Sequence, residues 1–161
     1  MAATRVGRLK RDVQVSAEYA RLSREDEQAA LELARAGLHR HACYFLIQSI
    51  EKAVRAEIFR LVNPNLEYFR ERSRTHSVDE AVEFLLEILP QDAATKARLE
   101  RQLADDVLKG LRFHHLHNDL RYPAYSRRFE SYSGLSISKR DVEVLKICLS
   151  NMRSFLKTLT R

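Results

Sequence analysis

The stretch "LHRHACYFLIQSIEKAVRAEIFRLV", Leu38 to Val62, decides the fold. Cys43, Leu46, Ile47, Ile50, Val54, Ile58 and Leu61 recur at offsets of three and four, which draws one continuous apolar stripe along a helix. Gln48, Glu51, Lys52 and Arg55 occupy the remaining face, which reads as solvated. Asn63 and Pro64 follow and favour a turn, because a residue before proline avoids helical geometry.

The same periodicity extends outward from this central helix. Ser23 followed by Glu25, Asp26 and Glu27 reads as an N-cap with acids in the first turn, opening a helix over about 23–36 that Gly37 ends or bends. Downstream, "NPNLEYFRERSRTHS" reads as a basic loop. Ser77 and Glu80 read as a capping box for a helix over 77–89, and Pro90 closes it. Asp92 opens a helix over 92–118 on which Leu99, Leu103, Val107 and Leu111 recur every four residues. Ser138 starts the last, over 138–159. The expected fold class is all-α, a compact antiparallel bundle of four to five helices over residues 22–161, preceded by an arm or weak helix over 1–21.

Composition agrees. The chain has 161 residues with four glycines and three prolines, which suits long helices and one hydrophobic core. Arginine outnumbers lysine 21 to 7 within a net charge of +6, which suits forked contacts to phosphate or carboxylate. Cys43 and Cys148 lie in apolar helical patterns and read as reduced, buried thiols. No apolar run is long enough to cross a bilayer and no secretory signal opens the chain, so no membrane partner is expected and the cytoplasm is the expected location.

Chemistry concentrates in "LRFHHLHNDLRYPAYS", Leu111 to Ser126. Arg112 and His117 form an R-x-x-x-x-H pair suited to metal-independent ribonuclease chemistry. His117 would move the proton and Arg112 would hold the phosphate and offset the charge of the phosphorane, with Asn118 or Asp119 orienting the imidazole. Residues five apart on an ideal helix diverge, so either the helix unwinds near His117 or the pair converges with a second subunit. His114, Arg121 and Tyr122 complete the candidate RNA-binding set, and Tyr122, Tyr125 and Tyr132 read either as base-stacking rings or as lids on a core edge. His114, His115 and His117, even with His76 or Cys43, lack a C-x-x-C or H-E-x-x-H pattern, so neither a metal nor a cofactor is expected.

These residues resemble a family. "ACYFLIQSIEKAVRAEIF", with Gln48, Glu51, Lys52 and Ala53 in a Q-x-x-E-K-A setting, resembles the central helix of HEPN domains (higher eukaryote and prokaryote nucleotide-binding). "THSVDEAVEFL" resembles the stretch before that family's third helix, and "LRYP" its R-Y-P region. The resemblance implies a helical bundle, commonly a homodimer, in which many members cleave RNA without metal through an R-x-x-x-x-H motif that Arg112 and His117 match. Phe113 departs from the polar residue usual after the arginine, and R-Y-P is common in members that partner a minimal nucleotidyltransferase. The expected function is therefore a metal-independent endoribonuclease, or alternatively a noncatalytic toxin–antitoxin-like module that binds a nucleotide or such a partner.

Overall fold

A computed structural model describes residues 6–159, so the first five residues of the expected N-terminal arm lie outside the described residues. The chain is mostly helical, with α1 over Val15–Arg35, α2 over His39–Leu61, α3 over Glu67–Arg72, α4 over Val78–Ile88, α5 over Ala93–Arg101, α6 over Leu116–Asp119 and α7 over Lys139–Thr158. Strands β1, Ala124–Ser126, and β2, Ser131–Ser133, pair antiparallel between α6 and α7.

Helix α2 is the hub, packing on α1, α4 and α7. The stripe read from its sequence is the core from Cys43 to Ile58, with Leu46, Ile50, Val54 and Ile58 fully buried, whereas Leu61 at the end of the helix is exposed. Leu85 from α4 and Cys148, Leu149 and Met152 from α7 close on it. Gly37 ends α1 as expected. Its φ of +77° suits glycine alone among unstrained residues, and the Leu38 and Gly37 amides donate back to the Leu33 and Ala34 carbonyls at 2.9 and 3.1 Å. This tight stop folds α2 back along α1 as an antiparallel hairpin.

Three expectations need correction. First, α1 begins at Val15 with Gln14 as its cap, and Ser23 lies inside it. The Ser23 hydroxyl donates to the Ser49 carbonyl at 2.8 Å, and the Ser49 hydroxyl donates to the Ser23 carbonyl at 2.7 Å. Two small polar residues let α1 and α2 approach closely, a tertiary use of serine that mimics a cap in sequence. Second, the basic loop contains α3, whose Phe69 packs on Phe84 at 6.1 Å, and its arginines are engaged: Arg72 bonds Glu87 at 2.7 Å and Arg74 pairs Glu71 at 3.1 Å. Third, the helix expected over 92–118 ends early.

That third break positions the candidate site. After Arg101 the chain widens into a π-helical segment, Gln102–Val107, and stops where Lys109 and Gly110 take φ of 54° and 73°. The Gly110 amide donates to the Ala104 carbonyl at 2.8 Å. Phe113, 1% exposed, then enters the core with its amide held by Asp79 Oδ2 at 3.0 Å. Only after this anchor does α6 form. Arg40, near the start of α2, donates to the Asp119 and Leu120 carbonyls at 3.2 and 3.0 Å and to the Leu135 carbonyl, tying α6 and the chain after the hairpin to α2.

Phe113→Ala should cost about 3–5 kcal/mol of folding stability, since it removes a ring from a packed interior and leaves a cavity. Urea denaturation measures this, and a loss under about 1 kcal/mol would mean that Phe113 does not anchor the break.

Candidate functional site

The polar side of α2 is where sequence and structure differ most. Glu51 and Arg55 are each 4% exposed, so the face expected to be solvated is buried there. Arg55 Nε donates to Glu51 Oε1 at 2.9 Å, Nη1 donates to the Ser73 carbonyl at 2.5 Å, and Nη2 donates to the Thr75 carbonyl. A buried charge pair survives only when its hydrogen bonds are satisfied, and the loop carbonyls at 73 and 75 supply that satisfaction. The same loop brings His76 beside the pair, with Nδ1 3.8 Å from Glu51 Oε1 and the ring exposed.

One helical turn before Glu51, Gln48 reaches His117 on α6. The Gln48 amide lies 3.1 Å from His117 Nδ1, and Arg121 Nη1 lies 2.9 Å from Nε2. A guanidinium only donates, so Nε2 accepts. A neutral imidazole then carries its proton on Nδ1; the amide atom at 3.1 Å is Gln48 Nε2, and turning the amide over, which leaves its shape unchanged, sets its oxygen there to accept that proton. Burial lowers the pKa of His117 from its ordinary 6.5, the positive charge of Arg121 lowers it further, and Glu51 opposes both. The ring is thus a neutral base whose lone pair points at a guanidinium.

Arg121 is itself set among rings. Its guanidinium lies 5.9 Å from the centre of Tyr44 and 4.9 Å from that of Tyr122, and Nη2 donates to the Tyr122 hydroxyl at 2.7 Å. Tyr44 also contacts the His117 ring at 5.4 Å. The 117/121 pair is one helical turn apart, so α6 and the turn that follows it present both side chains on one side.

The remaining expected residues are placed differently. Arg112 lines a groove of about 490 Å³ between α4 and α5 with Asp79, Glu83, Glu87, Glu100 and Lys96. Four carboxylates against two cations make this groove a poor seat for phosphate. None of the bonds to the His117 ring involves Arg112; the arginine that meets it within one chain is Arg121. The group at Nδ1 is Gln48 in place of Asn118 or Asp119, whose carbonyls instead hold Arg121, Tyr122 and Arg40. His114 and His115 are exposed and touch each other edge to face at 4.2 Å. Tyr122, Tyr125 and Tyr132 are exposed and cover no core edge.

Among the described residues no group of three or more His, Cys, Asp or Glu side chains is arranged to hold a metal ion, and no helix is long and apolar enough to cross a membrane. Cys43 and Cys148 are free and buried as expected, and burial pushes the Cys43 thiol up to about 11. No family model, curated protein or solved structure matches the chain.

Sequence reasoning missed Gln48 and Glu51 as site residues. The available signal was their spacing of three, which puts both on one face of α2 and lets them meet the loops at 76 and 117.

His117 should titrate below 6.5 in the folded protein, with the shift followed by the ring C–H signals in NMR. The unfolded chain binds the proton more readily, so the stability from neutral His117 is full above pH 6.5 and lost as pH falls through the folded value. Arg121→Met should move the titration back up, and an unchanged titration in that variant would remove Arg121 as a cause.

Proposed function

We propose that this chain is a HEPN-like RNA-binding protein whose His117–Arg121 pair cleaves RNA without a metal. The observation that carries the reading is the neutral His117 ring, oriented through Nδ1 by Gln48 and facing a guanidinium at Nε2. An RNA phosphate attracts Arg121, and its arrival frees the Nε2 lone pair. Nε2 then accepts the proton of the adjacent 2′-hydroxyl, whose oxygen attacks phosphorus; the bond from phosphorus to the 5′-oxygen breaks, leaving a 2′,3′-cyclic phosphate and a 5′-hydroxyl that takes its proton from the protonated ring or from water, and Arg121 offsets the charge that develops on the phosphoryl oxygens. The Q-x-x-E-K-A pattern of α2 supports the family resemblance, since Gln48 bonds the His117 ring and the charge of Glu51 bears on it.

A homodimer is part of the proposal. Two copies of the Arg112 to His117 segment would meet across a two-fold axis, and Arg112, on the α4–α5 side of its own copy, would there enter the chemistry of the second copy's His117. A specific observation also favours the alternative of a noncatalytic module that binds a nucleotide or a minimal nucleotidyltransferase: the lone pair a base needs is engaged by Arg121. In that reading the same pair binds a phosphate and stops there.

Purified protein should cleave RNA in the presence of EDTA, and His117→Ala should lower the rate by about 100- to 10,000-fold while leaving circular dichroism unchanged. Arg121→Ala should lose activity in each chain that carries it. Mixing Arg112→Ala with His117→Ala should restore part of the activity if two copies complete one site. Wild type that binds a nucleotide or RNA but never cuts leaves the binding module standing, and wild type that neither cuts RNA nor binds RNA, a nucleotide or a minimal nucleotidyltransferase ends both readings.

A further inference from the structure

We infer that the β1–β2 hairpin is a stacking platform for unpaired bases, which makes single-stranded RNA, not duplex, the substrate class of the His117 site. The inference rests on the RNA reading above and adds the strand state that the site accepts.

Only Tyr122 and Pro123 separate Arg121 from the start of the hairpin. Tyr125 and Tyr132 are cross-strand partners and share one face, with ring centres 5.2 Å apart. The other face carries only Ala124, Ser126, Ser131 and Ser133. Tyr122, Tyr125, Phe129 and Tyr132 are 57, 54, 69 and 72% exposed, so four large rings along a short stretch of chain stand in water. Arg121, Arg127 and Arg128 are interleaved with them against the single carboxylate of Glu130, and Arg128 lies 5.3 Å over the Phe129 ring.

Cross-strand pairing accounts for part of this, since facing tyrosines stabilise a short ladder. It does not account for Phe129 at the tip or Tyr122 at the base, neither of which belongs to the pair. Exposed rings between cations are what sequence-tolerant recognition of single strands uses: every base offers a face to stack, and the arginines follow the phosphates. Strand β1 extends only roughly 10 Å at ~3.3 Å per residue, and with the turn it carries the exposed rings in a short row that suits the lower end of single-strand site sizes of ~4–16 nucleotides. In a duplex the base faces are already covered by their neighbours. A protein partner could also use tyrosine and arginine, but three cations to one anion favour a polyanion.

Fluorescence anisotropy with an unstructured pyrimidine 2′-O-methyl oligonucleotide of about 12 nucleotides tests this, because the probe has no free hydroxyl to be cleaved. Wild type should bind the single strand about 10-fold more tightly than the same sequence as a duplex. Phe129→Ser and Tyr132→Ser should each weaken single-strand binding by about 5- to 100-fold and leave duplex binding unchanged. Phe129 lies outside the tyrosine pair, so its variant keeps the test valid if Tyr132→Ser loosens the hairpin. Replacing Arg127 and Arg128 by glutamine should reduce the salt slope by about 0.7 for each phosphate that an arginine neutralises. Equal affinity for duplex, or variants that bind as wild type does while RNA is still bound and cut, overturns the hairpin inference alone. Loss of a co-purifying protein without loss of RNA binding overturns it in favour of a protein contact. Absence of both RNA binding and cleavage in wild type overturns the underlying RNA reading with it.

Discussion

The buried pair of Glu51 and Arg55 is the constraint on which the site depends. Two charges withdrawn from water inside α2 cost several kcal/mol each unless every donor is used, and Arg55 meets that demand with the Ser73 and Thr75 carbonyls. The demand works in both directions. The loop is held because the guanidinium needs acceptors, and the ion pair persists because the loop supplies them. His76 and the start of α4 are thereby fixed beside Glu51. Burial of that carboxylate also places a negative charge near His117, where it opposes the effects of burial and of Arg121 on the ring.

Arg40 repeats the device at the other end of α2. Its fork takes carbonyls from the end of α6 and from Leu135, so the segment carrying His117 and the base of the hairpin are both tied to the central helix. A lysine has no planar fork and could not span these carbonyls in the same way. The arginine excess thus has a structural component distinct from any ligand. Arg40, Arg55 and Arg72 hold the fold together, Arg153 joins α7 to Glu27 on α1, and Arg121, Arg127 and Arg128 are the cations beside exposed rings.

The helical core was legible because it follows from spacing within single segments. The apolar stripe of α2, the stop at Gly37, the caps at Ser77, Asp92 and Ser138, and the seam of α7 all appear where the local pattern puts them. The break after Leu108 also had a signal, in Gly110, but the four-residue recurrence of Leu99, Leu103, Val107 and Leu111 concealed it. That recurrence runs on through residues that leave the helix, since Leu111 packs against the core as well as a helical residue would. Ser23 misled for a related reason. A serine before acidic residues is a cap in a peptide, and here it is a close contact between two helices.

The candidate site divides along the same line. The sequence by itself determined the helical class, the central helix, the concentration of histidine and arginine at Leu111 to Ser126, and the importance of the position at which that segment leaves the core. Tertiary structure alone decided that Arg121 meets His117, that Gln48 orients the ring, that Glu51 and Arg55 are buried, and that Arg112 lies in a groove of carboxylates. The reason is that periodicity records which face of a helix is apolar, whereas a polar side chain is assigned its partner by whichever donors and acceptors the fold brings within about 3 Å of it.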